Sequence, residues 1–507
     1  MDKISLKNFR RFTELKNIEN KGITFLVGPN NSGKSSITKA FWLLGTINWR
    51  KIPRFIFFDE PDTNDDNIIQ SSFARIVNKF AQDRTISLNF RIGKYECLLE
   101  ITGDIEDVEG SGKLLKIHDL ENEIFFEFNI FQSTLNVIQK QQTVVEKVKN
   151  DNLEFLEKQI DEIIQTLEVY NLKKKDFEYF NLVDKLQNLR DKRELIQKSA
   201  LKSKNIAYNY TLEFGKITEI QNILLDYLQS IKSQHTYEIL KAQKGKKNSN
   251  EFAVLEAINQ NSKEIALSLK GFLDAVSKIE VHYIPKAGSA KHQLFHKFSI
   301  DDNIAKAVYN INDWGIYPGT PSFEFIRKWL QKFEICDTFE ILEHAGEAYE
   351  FNLIKNKISF PLSDEGKGSI QIIFMLLMIV NAIENFRLHS KNDHTILIEE
   401  PESNLHPAFQ SNLADLFLEV YEKYKIKFIV ETHSEYVLRR SQVIVAEKKY
   451  GGEAGDNPFR VYYFPKGNEE QPYLMEYEKN GRFNRNFGEG FFDEATNSTV
   501  TLLKLLK

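Results

Sequence analysis

Gly28-Pro29-Asn30-Asn31-Ser32-Gly33-Lys34-Ser35 fits the pattern G-x-x-x-x-G-K-[ST]. It follows the apolar run Gly22-Ile23-Thr24-Phe25-Leu26-Val27 and precedes a stretch whose Ile37, Ala40, Phe41 and Leu44 share one helical face. That order predicts a buried strand, a glycine-rich turn and a helix, the setting in which such a turn wraps phosphate with backbone N–H groups. Asn30, Asn31, Ser32, Gly33, Lys34, Ser35 and Ser36 form the expected cradle. Lys34 would reach the β and γ phosphates, and the Ser35 hydroxyl would ligate Mg²⁺. Upstream, Ile4, Leu6 and Phe9 mark a further short strand.

Outward from this loop, the 507 residues suggest two to four structural units. A 42% hydrophobic and 12% aromatic content is ample for a large core and excludes wholesale disorder. Lys and Arg number 67 against 72 Asp and Glu, a net charge of −5, so contact with nucleic acid would need a local basic patch. Cys97 and Cys336 are too few for a disulfide framework or a cysteine-rich zinc site, which fits a reducing cytosol. The first residues lack the apolar region of a signal peptide, and the longest apolar run, Ile372 to Val380, falls short of the roughly 20 residues that span a bilayer. A cytoplasmic protein without a membrane partner is expected.

A phosphate loop alone does not separate kinase, GTPase and ATPase. Thr395-Ile396-Leu397-Ile398 reads as a buried strand ending in Glu399-Glu400-Pro401-Glu402. Carboxylates at the C-terminal end of a parallel strand face the crevice where ligands bind. Glu399 would hold the Mg²⁺ shell, and Glu400 would polarise the attacking water. A third strand, Phe428-Ile429-Val430, leads into Glu431-Thr432-His433-Ser434, where His433 is placed to contact the γ-phosphate. Leu362 to Gln371 carries Ser363, Gly366, Gly368 and Ser369 at the start of an apolar helix, a second backbone cradle for an anion.

These elements, in this order, resemble the ABC-type ATPases of the SMC/RecF/OLD-like branch. The run Glu399 to Pro407 resembles that branch's Walker B and D-loop, Glu431 to Ser434 its His switch, and Asn8-Phe9-Arg10-Arg11-Phe12 the strand-end motif before its phosphate loop. The Tyr283-Ile284-Pro285 segment, Ser363–Gln371 and the tail from Gly481-Arg482-Phe483 to Gly490-Phe491-Phe492-Asp493-Glu494 resemble bacterial AAA-family ATPases of antiphage operons, the Septu and PARIS types. The resemblance implies ATP and Mg²⁺ as cofactors, a homodimer or higher homo-oligomer, and a separate nuclease or toxin effector. In it the Ser363–Gln371 segment acts across the dimer. Lys286 stands where relatives often carry Arg, and Gln132 is the candidate for the glutamine loop. An OLD-type Toprim nuclease needs an Asp-x-Asp pair, and the 74 residues after His433 contain none. The rival is a RecF-like DNA-repair ATPase, for which duplex DNA would be the partner and Lys173–Lys175 or Lys244, Lys246 and Lys247 the contacts.

The expected fold is therefore α/β: an ABC-type nucleotide-binding domain with a mixed or parallel sheet, flanking helices and an antiparallel β-subdomain. Residues 1–136 would form its N-terminal lobe and 281–507 its C-terminal lobe. Between them, residues 137–204 lack Gly and Pro and repeat Leu156, Ile160, Ile163 and Leu167 at steps of four and three, as a helical hairpin or coiled-coil arm would. Residues 205–280 read as a helical insertion.

Overall fold

The computed structural model describes residues 1–61, 68–104, 107, 109–139, 155–166, 182–192, 210–230, 250–284, 294–296, 303–448, 450, 457–466, 471–488 and 491–505. Pro285, Lys286, Lys173–Lys175 and residues 244–249 lie outside them, as does most of 137–204. Within that arm, helices over 155–166 and 182–192 are described, and Ile160, Ile163 and Leu186 pack together as a small cluster of their own.

The described residues form three sheets, two of which position the site. The first is six-stranded, in the order Ile279–Ile284, Asp393–Glu399, Lys427–Thr432, Ile23–Val27, Phe459–Tyr463 and Tyr473–Leu474, parallel except for the last pair. Parallel neighbours need helical crossovers, and these cover the sheet so that its strands are apolar almost throughout. All five residues of Ile23–Val27 are buried. The period of two along each strand divides them between two cores. Phe25, Ile396, Ile398, Phe428 and Val430 point towards a helical layer. Leu26, Leu397, Ile429 and Tyr462 point the other way, towards the helix Lys34–Thr46 and the second sheet.

That second sheet is ten-stranded and antiparallel, built from the hairpin Lys3–Phe9 and Phe12–Glu19 and from strands between Phe55 and Asn129, Thr134–Gln139 and Tyr210–Glu213. The helix Asn250–Val276 lays Ile265, Leu269, Phe272 and Val276 against it, a helical stripe that carries the aromatic contacts of Phe272 with Trp49 and Tyr95. The helical insertion expected over 205–280 thus meets an exception at Tyr210–Glu213, which pairs with Thr134–Gln139. The third sheet is four-stranded: Ala348–Lys355 pairs with Leu294–His296, Thr338–His344 and Ile358–Pro361.

The helix Lys367–Leu388 runs through the helical layer and is long and apolar enough, by length and composition, to cross a membrane; 67% of its apolar window is buried inside the protein. The tail folds back over the six-stranded sheet, where Phe487 and Phe491 pack edge-on against Tyr463.

Candidate functional site

The strand order sets the site. The C-terminal ends of Asp393–Glu399, Lys427–Thr432 and Ile23–Val27 lie side by side, in a register that pairs Glu399 with Glu431 and Glu431 with Leu26. The loop that follows Val27 therefore opens beside two carboxylates from neighbouring strands. Gly33 caps the helix Lys34–Thr46 at φ 102°, and a Cβ there would also run into the Phe12 ring, so glycine is required on both counts. Asn31 is left-handed too, at φ 58°.

Lys34 is buried, and its Nζ donates to the Gly28 and Pro29 carbonyls at 2.9 Å each. The same ammonium lies 3.8 Å from Glu431 Oε1. Burial lowers its pKa, against the pull of Glu431, Glu400 and Glu402. A cavity of about 430 Å³ opens over the loop, lined by residues Asn31 to Ser36, by Arg10 and Arg11, by Arg75 and the turn Val77-Asn78-Lys79-Phe80, and by Glu431. Five cations against one carboxylate give this cavity a positive field that would attract a polyanion. Backbone bonds from Arg10 N–H to the Ile76 carbonyl (2.5 Å) and from Asn78 N–H to the Asn8 carbonyl (2.9 Å) tie the Asn8–Arg11 turn and the Arg75–Phe80 segment into one wall.

The carboxylates differ in their settings. Burial, and then the Glu431 charge, push Glu399 up to about 7. Burial also raises Glu431, opposed by a hydrogen bond from Ser35 and by the Lys34 charge. Glu399 Oε1 and Glu431 Oε2 are buried without a hydrogen-bond partner. Two unpartnered carboxylate oxygens on adjacent strand ends, beside the Ser35 hydroxyl, are a donor set that suits a hard divalent cation, so the residues present fit Mg²⁺.

Glu400 closes its strand in the left-handed region, at φ 44°. Its N–H donates to the Glu431 carbonyl at 2.8 Å, and its Oε2 accepts from Ser403 Oγ at 3.1 Å. Such a conformation costs a non-glycine residue on the order of 1–3 kcal/mol and persists only where its surroundings fix it. Glu402 reaches across instead: its Oε1 accepts from the His433 N–H at 2.6 Å, and burial raises its pKa. His433 is shifted down by burial and by the Lys34 charge, so its imidazole is neutral at pH 7.

Ser363, Gly366, Gly368 and Ser369 do not line the cavity of their own chain. Gly366 is the N-cap of the helix Lys367–Leu388, and Ser363 Oγ donates to Asp364 Oδ1 at 3.4 Å. A Cβ on Gly368 would meet the Asn404 carbonyl oxygen, so this helix end rests directly on the turn after Glu402. Gly368→Ala is expected to destabilise the protein by about 1–3 kcal/mol through that overlap. Urea denaturation checks it, and a variant as stable as the parent would show that the contact can yield freely. Gln132 sits elsewhere, accepting from Asn129 Nδ2 at 3.0 Å in an exposed turn. Asn30, Glu399, Glu400 and His433 flank the cavity without lining it. The sequence reading singled out neither Glu402 nor Glu431 as a site residue, and it passed over the wall from Arg75 to Phe80.

The sequence profile of the family described as "AAA ATPase domain" matches residues 1–438. No curated protein matches. Among solved structures, the chain is similar to the Smc head domain with an extended coiled coil bound to the C-terminal domain of ScpA from Pyrococcus furiosus, at 12% identity and TM-score 0.35, covering 100% of this chain and 99% of that one. The SMC head domain from Thermotoga maritima matches at 11% identity and TM-score 0.32, over 94% and 98% of the two chains. The recombination mediator protein RecF matches at 11% identity and TM-score 0.29, over 91% and 95%.

Proposed function

The chain belongs to the AAA ATPase domain family, and from that premise we propose an ABC-type, SMC/OLD-like ATPase whose two copies close over ATP. Its biological setting in this reading is the cytoplasm, as the sensor subunit of a bacterial antiphage system that controls a separate nuclease or toxin effector. The observation that carries the catalytic part is the meeting of Lys34, Ser35, Glu399, Glu400, Glu431 and His433 at the ends of three adjacent parallel strands, beside a cationic cavity. The defence setting is supported by the motif resemblance alone.

Lys34 and the backbone of Asn30 to Ser36 bind the phosphates, and Ser35 with Glu399 would hold Mg²⁺. When bound, that ion would supply Lewis-acid stabilisation of the transferring phosphoryl group. Glu400 takes the proton of the attacking water, and neutral His433 donates a hydrogen bond to the γ-phosphate. Because Ser363 and Ser369 lie away from their own chain's cavity, their contact with phosphate requires a second copy, which makes closure depend on nucleotide.

Two measurements test this. With a non-hydrolysable ATP analogue, sedimentation should show the mass double; a mass indifferent to nucleotide would sink the gated dimer. Turnover unchanged by duplex DNA supports a protein-triggered sensor, whereas salt-sensitive stimulation by DNA would replace it with the RecF-like repair reading.

A further inference from the structure

Glu431 is the acidic side chain that lines the cavity over the phosphate loop, where Arg10, Arg11, Lys34, Arg75 and Lys79 supply positive charge. A carboxylate in that position repels phosphate unless a cation lies between them. Its two oxygens are differently engaged. Oε1 lies 3.8 Å from Lys34 Nζ, while Oε2 is buried with no hydrogen-bond partner. Ser35, the hydroxyl expected to ligate metal, hydrogen-bonds to the same carboxylate. Glu399, the register partner of Glu431, carries a second unpartnered oxygen but does not line the cavity. Adjacent parallel strands lie about 4.8 Å apart, so the two carboxylates can share one cation.

We infer that Glu431 is a metal-facing carboxylate of the nucleotide site, standing with Ser35 and Glu399 in holding the divalent cation that accompanies the phosphates. This rests on the reading that Lys34 and Ser35 bind nucleotide phosphate. The alternative is that Glu431 serves only to position Lys34. The two differ in how the charge acts. A metal-facing carboxylate opposes nucleotide when metal is absent and favours it when metal is present. A lysine-positioning carboxylate favours nucleotide in both conditions.

The test is the affinity of the full chain for a non-hydrolysable ATP analogue, measured by calorimetry in excess Mg²⁺ and in EDTA. Wild type, Glu431→Gln and Glu431→Asp are compared, with thermal denaturation to confirm folding. Glu431→Gln should bind equally or more tightly than wild type in EDTA. It should also lose about tenfold or more of the gain that Mg²⁺ confers, and Glu431→Asp should restore part of that gain. An unchanged Mg²⁺ gain with weaker binding in EDTA would overturn the inference and leave Glu431 as a positioning residue for Lys34. If wild type binds the analogue in neither condition, the phosphate-loop reading falls and this inference falls with it.

Discussion

Glu400→Gln should lower ATP turnover by about 10²- to 10⁴-fold, the range lost when a positioned general base is removed, while nucleotide binding survives. The left-handed backbone at Glu400 and its N–H bond to the Glu431 carbonyl fix where this side chain leaves the strand end. Glutamine preserves that backbone, and its side-chain oxygen still accepts from Ser403 Oγ, which meets Oε2 at 3.1 Å in the parent. What it loses is the ability to take a proton. The closed, nucleotide-bound dimer should therefore accumulate, seen by single-turnover kinetics together with sedimentation. Turnover equal to the parent's would remove Glu400 from the base role and direct attention to Glu402, which is committed to the His433 N–H.

The second large effect is on stability, and its sign runs against intuition. Metal-free Glu399→Gln should be more stable than the parent at pH 8 by about 3 kcal/mol, the equivalent of a carboxyl held some 2.5 units above its ordinary pKa. Glu399 titrates near 7 in the folded protein against 4.5 ordinarily, because burial and the Glu431 charge disfavour its ionised form. The folded state binds this proton more tightly than the unfolded chain. Its stabilising contribution is thus complete below pH 4.5 and is lost as pH rises through 7. Glutamine mimics the protonated form at every pH, so the gap between variant and parent should shrink to about 1 kcal/mol by pH 5 and close below pH 4.5. Burial lowers His282 to about 4 and shifts His394 and His433 the same way, so they act in the opposite direction. They cancel in the comparison of the two proteins. Saturating Mg²⁺ and ATP should reverse the order, because the ionised carboxylate then gains its cation. Denaturant midpoints measured from pH 5 to 8 decide it; a gap that does not change with pH would mean that Glu399 is ionised throughout.

The phosphate-loop strand, the glutamate pair and the His433 strand were legible because each is an apolar run that ends abruptly in polar residues. The strand Phe12–Glu19 was not, because its buried residues Phe12, Leu15 and Ile18 recur every third position instead of every second. A register shift between Ile4 and Leu6, with a left-handed Asn17 (φ 55°), accounts for the step from Leu15 to Ile18. Glu431 had a readable signal in its strand-end position, the same as that of Glu399. Aligning the apolar cores of the two strands places both acids at one depth. Arg75 and the turn from Val77 to Phe80 had none, because Arg75 lies within a four-residue helix too short for a periodic pattern, and the turn that follows is held to the loop through the Asn8–Arg10 turn. Glu402 is a similar case: what identifies it is a bond to a backbone N–H 31 positions away, which no spacing announces.

The position of Ile23–Val27 between Lys427–Thr432 and Phe459–Tyr463 also governs when this protein can become itself during synthesis. Ile23 and its register partner Phe428 are roughly 400 residues apart, so at the ribosomal pace of about 5–20 residues per second the phosphate-loop strand waits some 20–80 s for its neighbours. Throughout that interval the loop exists without Glu399, Glu400, Glu431 or His433 beside it. A half-made chain can therefore fold its antiparallel sheet but has no hydrolytic centre. On the proposed site, the order of the strands alone would keep nascent chains silent, and the apolar run Ile23–Val27 is the segment that a chaperone would need to shield until the last strands arrive.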